Sequence, residues 1–211
     1  MSTYVVIDLE MCKVPKGFRR EKYPHSQEII QIGAVAMNEE YQIVDSFMTL
    51  IKPEHGLIDA KIQQLTGISP SDVKDAPYMK AAWESFSAWL PKDARFVAWS
   101  DSDGKQIIKE LTIKEIDFES MQPQFEEYID CQIVFSEKMK TEKVYRLSEA
   151  LIIADIDFDE NIHDALVDAK NTALLFAKTQ LEEELSLSKY LVTEDDMDSA
   201  FSNYKYKKNY V

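Results

Sequence analysis

The chain of 211 residues is long enough for one large domain, and its content of 45% hydrophobic and 11% aromatic residues excludes disorder over most of its length. No apolar run approaches the roughly 20 residues of a membrane-spanning helix, so we expect no membrane association. Asp8 and Glu10, within the first ten residues, exclude the apolar region of a signal peptide. Cys12 and Cys131 form neither a metal-spaced cluster nor a disulfide framework, which predicts a reducing, cytoplasmic location.

The five glycines exclude two large classes of nucleotide-binding protein. No two of them have the G-x-G spacing of a dinucleotide-binding domain or the spacing of a P-loop, where only glycine lets the backbone approach phosphates. The formal net charge of −14 also argues against nucleic-acid binding by counterion release alone. Residues 13–22 carry five basic side chains and one acidic side chain, which predicts either a solvated loop or a basic border to an active site.

Hydrophobic periodicity and turn residues predict an initial group of strands, followed by strands that alternate with helices. This order indicates an α/β or α+β domain with a mixed sheet. The predicted elements are, in chain order, a buried strand at 4–7, a strand pair at 29–37 and 42–51, helices at 59–65 and 79–90, a strand at 95–99, a helix at 104–111, helical or mixed segments at 129–140 and 147–154, and a long helix at 164–185.

Two carboxylates at the end of the first predicted strand indicate a metal site. Asp8 and Glu10 are two residues apart, and residues i and i+2 of a strand project from the same face. Two hard oxygen ligands on one face suit Mg²⁺ or Mn²⁺. The same D-x-E spacing recurs at Asp117 and Glu119, but no buried apolar run precedes it there. The first pair is therefore the candidate metal site.

Two further segments add carboxylates and a histidine. His163 stands directly before the long predicted helix, and Asp168 lies near the helix N-terminus, where the helix dipole favours an ionised acid. A histidine at such a position is either a cap or surface residue or a group that reaches over the same site as Asp168. The strand at 95–99 runs into Asp101 and Asp103, and a calcium loop is rejected there because Trp99 occupies the first ligand position.

The order of these motifs resembles that of the DEDDh 3′→5′ exonucleases. The cysteine after D-x-E-x and the long loop before Glu28 are most similar to the branch that contains the histone-mRNA 3′ exonuclease and bacterial KapD-like proteins. The resemblance implies an α/β, RNase H-like fold, with a five-stranded mixed sheet flanked by helices. It covers about residues 3–178, and the matching stretches are VVIDLEMC at 5–12, EIIQIGAVAMN at 28–38, FMTLIKPEHGLIDAKIQQLTGI at 47–68, FVAWSDSD at 96–103 and HDALVDAKNTALLFA at 163–177.

The resemblance also implies roles for individual residues. His163 matches the general base, and the metal-binding carboxylates match Asp8, Glu10, Asp103 and Asp168. Asp101 competes for the third position, but the family spacing places the acid four residues after Trp99, at Asp103. Met11, with Glu10 and His163, matches the positions that contact the terminal nucleotide, where many relatives have a small residue or threonine instead of Met11.

Electrostatics supports this metal assignment. Four carboxylates in one cleft repel one another and raise one another's pKa values, and divalent cations remove that conflict. Two bound ions, Mg²⁺ or Mn²⁺, can then serve in-line displacement at phosphorus. We therefore expect an exonuclease domain at 1–180 that hydrolyses single-stranded 3′ ends of RNA or DNA and releases nucleoside 5′-monophosphates.

Three alternatives stay open from the sequence. The first is a protein-binding regulator that keeps the exonuclease fold with little or no turnover, as the KapD-like resemblance permits. The second concerns residues 181–211, which predict either a helix end with a frayed tail or, at 203–211, a basic, aromatic arm that contacts nucleic acid or a partner protein. Trp99 is likewise either a core residue or a stacking surface for a base.

Overall fold

Five strands form one mixed sheet in the computed structural model of the chain, which describes residues 2–17, 23–159, 161, 163–186 and 188. The strands are β1 (Ser2–Lys13), β2 (Gln27–Asn38), β3 (Ile43–Leu50), β4 (Arg95–Ala98) and β5 (Ile129–Asp130). Their order across the sheet is β3-β2-β1-β4-β5. β2 is antiparallel to both of its neighbours, β1 and β3, whereas β4 runs parallel to both β1 and β5.

Helices cover both faces of this sheet. Among the described residues they are α1 (Ala60–Thr66), α2 (Met79–Trp89), α3 (Asp101–Ile113), α4 (Gln122–Glu126), α5 (Cys131–Lys138), α6 (Leu147–Ile153) and α7 (Ala165–Leu181). The prediction of a five-stranded mixed sheet flanked by helices is therefore confirmed. No helix in the described part of the chain combines the length and apolarity needed to cross a membrane.

The alternation of side chains along β1 separates two cores. Val5, Ile7 and Leu9 point into the larger core, which α2 and α3 cover with residues such as Phe86 and Ile107. Val6 points to the opposite face, where it packs with Phe176 of α7. Because Asp8 and Glu10 continue the even-numbered row, the same alternation directs them to the α7 side of the sheet.

A buried ion network connects the loop after β3 to β2 and to the C-terminal end of α3. The Glu28 carboxylate accepts hydrogen bonds from the backbone N–H groups of Glu54 (2.8 Å), His55 (2.8 Å) and Gly56 (2.6 Å). Lys114, just after α3, places its ammonium 2.8 Å from Glu28 and 3.0 Å from Glu110. Burial acts to raise the pKa of the Glu28 carboxyl, but the hydrogen bonds from Lys114 and the backbone outweigh it and lower the pKa.

Most element boundaries differ from the sequence prediction by a few residues, among them those of β1, α3 and α7. β1 is longer than 4–7 because its polar residues also pair with β2, as far as Lys13 opposite Gln27. α3 begins at Asp101, before the predicted 104, because the Ser100 hydroxyl caps it by accepting from the backbone N–H of Ser102. α7 ends at Leu181, before the predicted 185, and the Lys138 ammonium binds the next carbonyl, that of Glu182, at 2.7 Å.

Candidate active site

The candidate site begins where β1 and β2 present their polar residues to α7. Asp8 lies opposite Gly33 and Glu10 lies opposite Gln31 in the antiparallel register. Gly33 allows the first turn of α7 to lie directly on the sheet. A Cβ atom at Gly33 would lie 2.2 Å from both the Ala165 carbonyl carbon and the Leu166 nitrogen, which is far inside van der Waals contact. Glycine at this position therefore brings the start of α7 next to Asp8.

Gln31 and Asp164 hold the start of α7 in place. The Gln31 side-chain oxygen accepts from the buried backbone N–H of Ala165 at 3.0 Å, and its amide nitrogen donates to the Asp164 carboxylate at 3.3 Å. Asp164 also caps the helix, since its carboxylate accepts from the backbone N–H groups of Leu166 (3.0 Å) and Val167 (3.1 Å). From the sequence, His163 rather than Asp164 was considered as a cap, and Gln31 was also missed, since its only signal was an amide inside an apolar strand.

His163 and Asp168 come together just before and within the first turn of α7. The His163 backbone N–H donates to the Asp168 carboxylate at 2.8 Å, and His163 has a φ of 72°, in the left-handed region that is costly for a residue with a side chain. Glu10, His163 and Asp168 each offer one potential ligand atom, and these atoms all lie within 4.8 Å of one another. The structure thus brings together Glu10 and Asp168, which are 158 residues apart in the sequence.

The first turn of α3 supplies another buried carboxylate. Asp103 is only 8% exposed and interacts electrostatically with both Asp8 and Asp168. Asp101 is exposed instead and forms an ion pair with Lys105 on the helix surface. Of the two competing acids, the fold therefore brings Asp103 to the cluster and turns Asp101 away. Tyr128 packs at the start of α3, where its hydroxyl donates a hydrogen bond to the Ser100 carbonyl at 3.0 Å.

The carboxylates crowd one another strongly. Burial raises the pKa of Asp8 well above its usual value, and the charges of Asp103, Asp168 and Glu10 raise it further. Burial, followed by the Asp168 charge, raises the pKa of Glu10 to about 8. Burial also raises the pKa of Asp103 to about 7, against the opposing effect of hydrogen bonds from its own backbone and Ser102. A compact set of hard oxygen donors with unfavourable mutual repulsion fits a divalent cation.

The remaining predicted residues are less central to this cluster. Met11 is partly buried and packs against the larger core, directly beyond Glu10. Trp99 is partly buried, with its ring 6.2 Å from that of Phe135. Residues 18–22 of the basic segment, and residue 187 with residues 189–211 of the C-terminal segment, lie outside the described residues.

Comparison with known proteins gives a family model and relatives that match most of the chain. A family model described as Exonuclease (RNase_T) matches residues 5–176. Human ERI1 exoribonuclease 2 is 29% identical over 197 residues, which cover 81% of this chain and 27% of the human protein. The chain thus spans about a quarter of the length of that relative.

Solved structures share the fold. Cell-death related nuclease 4 (CRN-4) has a TM-score of 0.71 at 19% identity, covering 95% of this chain and 77% of that chain. The nuclease domain of 3′hExo, a DEDDh family member bound to rAMP, has a TM-score of 0.67 at 20% identity, covering 88% of this chain and 96% of that chain. The resemblance to the DEDDh exonucleases is confirmed, and because the family model matches most of the chain, this protein belongs to the exonuclease (RNase_T) family.

Proposed function

We propose that this chain is a 3′→5′ exonuclease that hydrolyses the terminal phosphodiester bond of single-stranded nucleic acid and releases nucleoside 5′-monophosphates. The observation that carries the proposal is the cluster of Asp8, Glu10, Asp103 and Asp168 beside His163, built by β1, α3 and the start of α7. In this proposal residues 1–180 form the catalytic domain and residues 181–211 form an appendage, available to a partner protein.

The four carboxylates would hold two divalent ions, Mg²⁺ or Mn²⁺. When bound, such ions neutralise the cluster, lower the pKa of water and stabilise negative charge on the reacting phosphate. Glu10 and Asp168 offer potential ligand atoms within 4.8 Å of each other, and Asp8 and Asp103 interact with them electrostatically. The raised pKa values of Asp8, Glu10 and Asp103 favour protons on these groups near neutral pH, so cation binding competes with protonation.

His163 is proposed to be the general base. An imidazole nitrogen takes a proton from the attacking water, whose oxygen forms a bond to phosphorus while the bond to the 3′ oxygen of the penultimate nucleotide breaks. That 3′ oxygen then takes up a proton, and the terminal nucleotide leaves with its 5′ phosphate. The bond from the His163 backbone to Asp168 fixes the histidine beside the carboxylates, as a base in this role requires.

We infer RNA as the first substrate to test, because the human relative is called an exoribonuclease and the DEDDh neighbour is bound to rAMP. Met11, immediately after Glu10, is proposed to contact the terminal nucleotide together with Glu10 and His163.

Degradation of matched 5′-labelled RNA and DNA oligonucleotides tests the proposal. With Mg²⁺ or Mn²⁺, we expect a ladder that shortens from the 3′ end and free nucleoside 5′-monophosphates. His163→Ala should lower turnover by about 10²–10⁴-fold, as expected for a lost general base, while the protein stays folded. Asp8→Asn serves as the matched carboxylate variant and should abolish turnover. If the folded wild type hydrolyses neither polymer with either ion, the non-catalytic regulator replaces this proposal.

A further inference from the structure

A cleft adjoins the carboxylate cluster and extends away from it over the surface. It has a volume of about 450 Å³, within the range of about 300–1,000 Å³ that is usual for small-molecule sites. Three parts of the chain line it: Trp99 with Gln132, residues 144–148, and His163 with Asp168. The cleft therefore reaches His163 and Asp168, and its far wall comes from the segment before α6 together with the start of α6.

Polar contacts hold that far wall in place. The Gln132 backbone N–H donates to the Trp99 carbonyl at 2.8 Å, and its side-chain amide donates to the Tyr145 carbonyl at 2.7 Å. Tyr145 is buried, with its ring edge-on to that of Phe135 at 5.7 Å. On the other side, the backbone N–H of Arg146 donates to the Glu149 carboxylate at 3.0 Å. Hydrogen bonds from Gln132 to the Tyr145 carbonyl and from the Arg146 N–H to Glu149 thus fix the backbone at Arg146.

The guanidinium of Arg146 is well placed to bind an anion. Arg146 is exposed, and among the residues that the structure describes no carboxylate forms an ion pair with it. It is the only arginine or lysine among the described residues that line the cleft. The opposite wall contains Asp168, which interacts electrostatically with Asp8, Glu10 and Asp103, so a polyanionic strand needs a positive group on the Arg146 side.

We propose that Arg146 binds the phosphate next to the scissile one, on its 5′ side, as the strand leaves the catalytic cluster through this cleft. The inference rests on the proposed exonuclease function. The scissile phosphate must lie at the buried carboxylates, whereas Arg146 is exposed at the other wall, which suits the next phosphate along the strand. An arginine fork matches the geometry of two phosphate oxygens, and Arg146 thereby makes the enzyme recognise more than the terminal nucleotide.

Binding of modified oligonucleotides tests this assignment without relying on turnover. Two 5′-fluorescein octanucleotides carry a neutral, uncleavable methylphosphonate at the terminal linkage, and they differ in having a phosphate or a methylphosphonate at the second linkage. Fluorescence anisotropy with Mg²⁺ gives Kd for the wild type and for Arg146→Gln. Arg95→Gln is the matched control, because Arg95 lies at the other end of β4, over the Tyr4 ring at 5.7 Å.

Loss of a charge-assisted contact should raise Kd by about 10- to 100-fold. We expect Arg146→Gln to weaken binding of the oligonucleotide with the second phosphate to this extent, and Arg95→Gln to leave it unchanged. Replacing that phosphate should weaken wild-type binding by a similar factor and have little further effect on Arg146→Gln. Two losses that multiply, or an unchanged Kd for Arg146→Gln, would overturn the assignment. Hydrolysis of the unmodified octanucleotide by the wild type is scored separately, so failure of the exonuclease proposal is distinguishable.

Discussion

Gly33→Ala tests whether the close approach of α7 to the sheet controls both stability and catalysis. The added Cβ would lie 2.2 Å from two backbone atoms of α7, whereas ordinary contact begins at 3.4 Å. Backbone cannot rotate away as a side chain can, so α7 must move outward by about 1 Å or more. Overpacking of this kind costs about 1–3 kcal/mol, or about 2–12 °C in Tm for a chain of this size.

The same movement displaces His163 and Asp168 relative to Asp8 and Glu10. A misplacement of about 1 Å can lower turnover by about 10²-fold, so kcat should fall even where Gly33→Ala is fully folded. Gly17→Ala is the matched control, because nothing lies within 4 Å of a Cβ at Gly17, and it should change neither quantity. Urea denaturation and single-turnover hydrolysis measure both effects. Wild-type stability and turnover in Gly33→Ala would refute this account of helix placement.

Three further variants probe separate interactions. Asp8→Asn should lose most of the stabilisation that Mg²⁺ or Mn²⁺ gives the folded protein, which for the wild type is about 2.7 kcal/mol at a metal concentration of 100 times Kd. Thermal melts with and without metal measure this stabilisation, and an equal metal-induced shift in Tm for both proteins would contradict the prediction. Gln31→Leu leaves the buried Ala165 N–H without its acceptor, so the free energy of unfolding measured with urea should fall by about 1–3 kcal/mol. The variant should also lower kcat more than it raises KM, and an unchanged kcat would contradict a positioning role for Gln31. Glu28→Gln should cost about 1.5–3 kcal/mol at pH 7, because it removes the charge from the hydrogen bond with Lys114 while Lys114 keeps its ion pair with Glu110. The folded-state pKa of Glu28 lies below its usual 4.5, so the carboxylate's contribution to the free energy of unfolding is complete above about pH 4.5 and is lost as pH falls through the folded-state pKa. If the stability difference between wild type and Glu28→Gln stays constant from pH 7 to pH 3, this reasoning is refuted.

Local patterns in the sequence were sufficient for the parts of the site that lie on one element. The two-residue spacing of Asp8 and Glu10 predicts their shared face, because alternation is intrinsic to a strand. The position of Asp168 near the start of α7 follows from helix-start chemistry. The RNase H-like fold was likewise predictable, since the order of motifs identified the family before any contact was known.

Contacts between distant elements were not predictable in this way. Gln31 and Ala165 are 134 residues apart, and no spacing rule relates them. Asp101 and Asp103 occupy the same first turn of α3, so local pattern does not separate them; the family spacing selected Asp103, and the packing of that turn buries it. Arg146 adjoins His163 through a cleft whose walls come from three segments. The clusters that carry function are therefore less visible in sequence than the elements that carry them.

The net charge of −14 leads to a last prediction about how salt affects binding of a nucleic-acid strand. If the bound cations and Arg146 provide the positive field, few phosphates are contacted by protein side chains, and affinity should depend weakly on salt. One phosphate contact to a single strand gives a slope of about −0.7 in log K against log salt concentration. Chelation of metal should weaken binding far more than a change from 50 to 200 mM KCl does. Fluorescence anisotropy with an uncleavable oligonucleotide measures both effects. A slope of −3 or steeper would show an extended basic surface, of which residues 13–22 are the candidate from sequence, and would refute the reasoning.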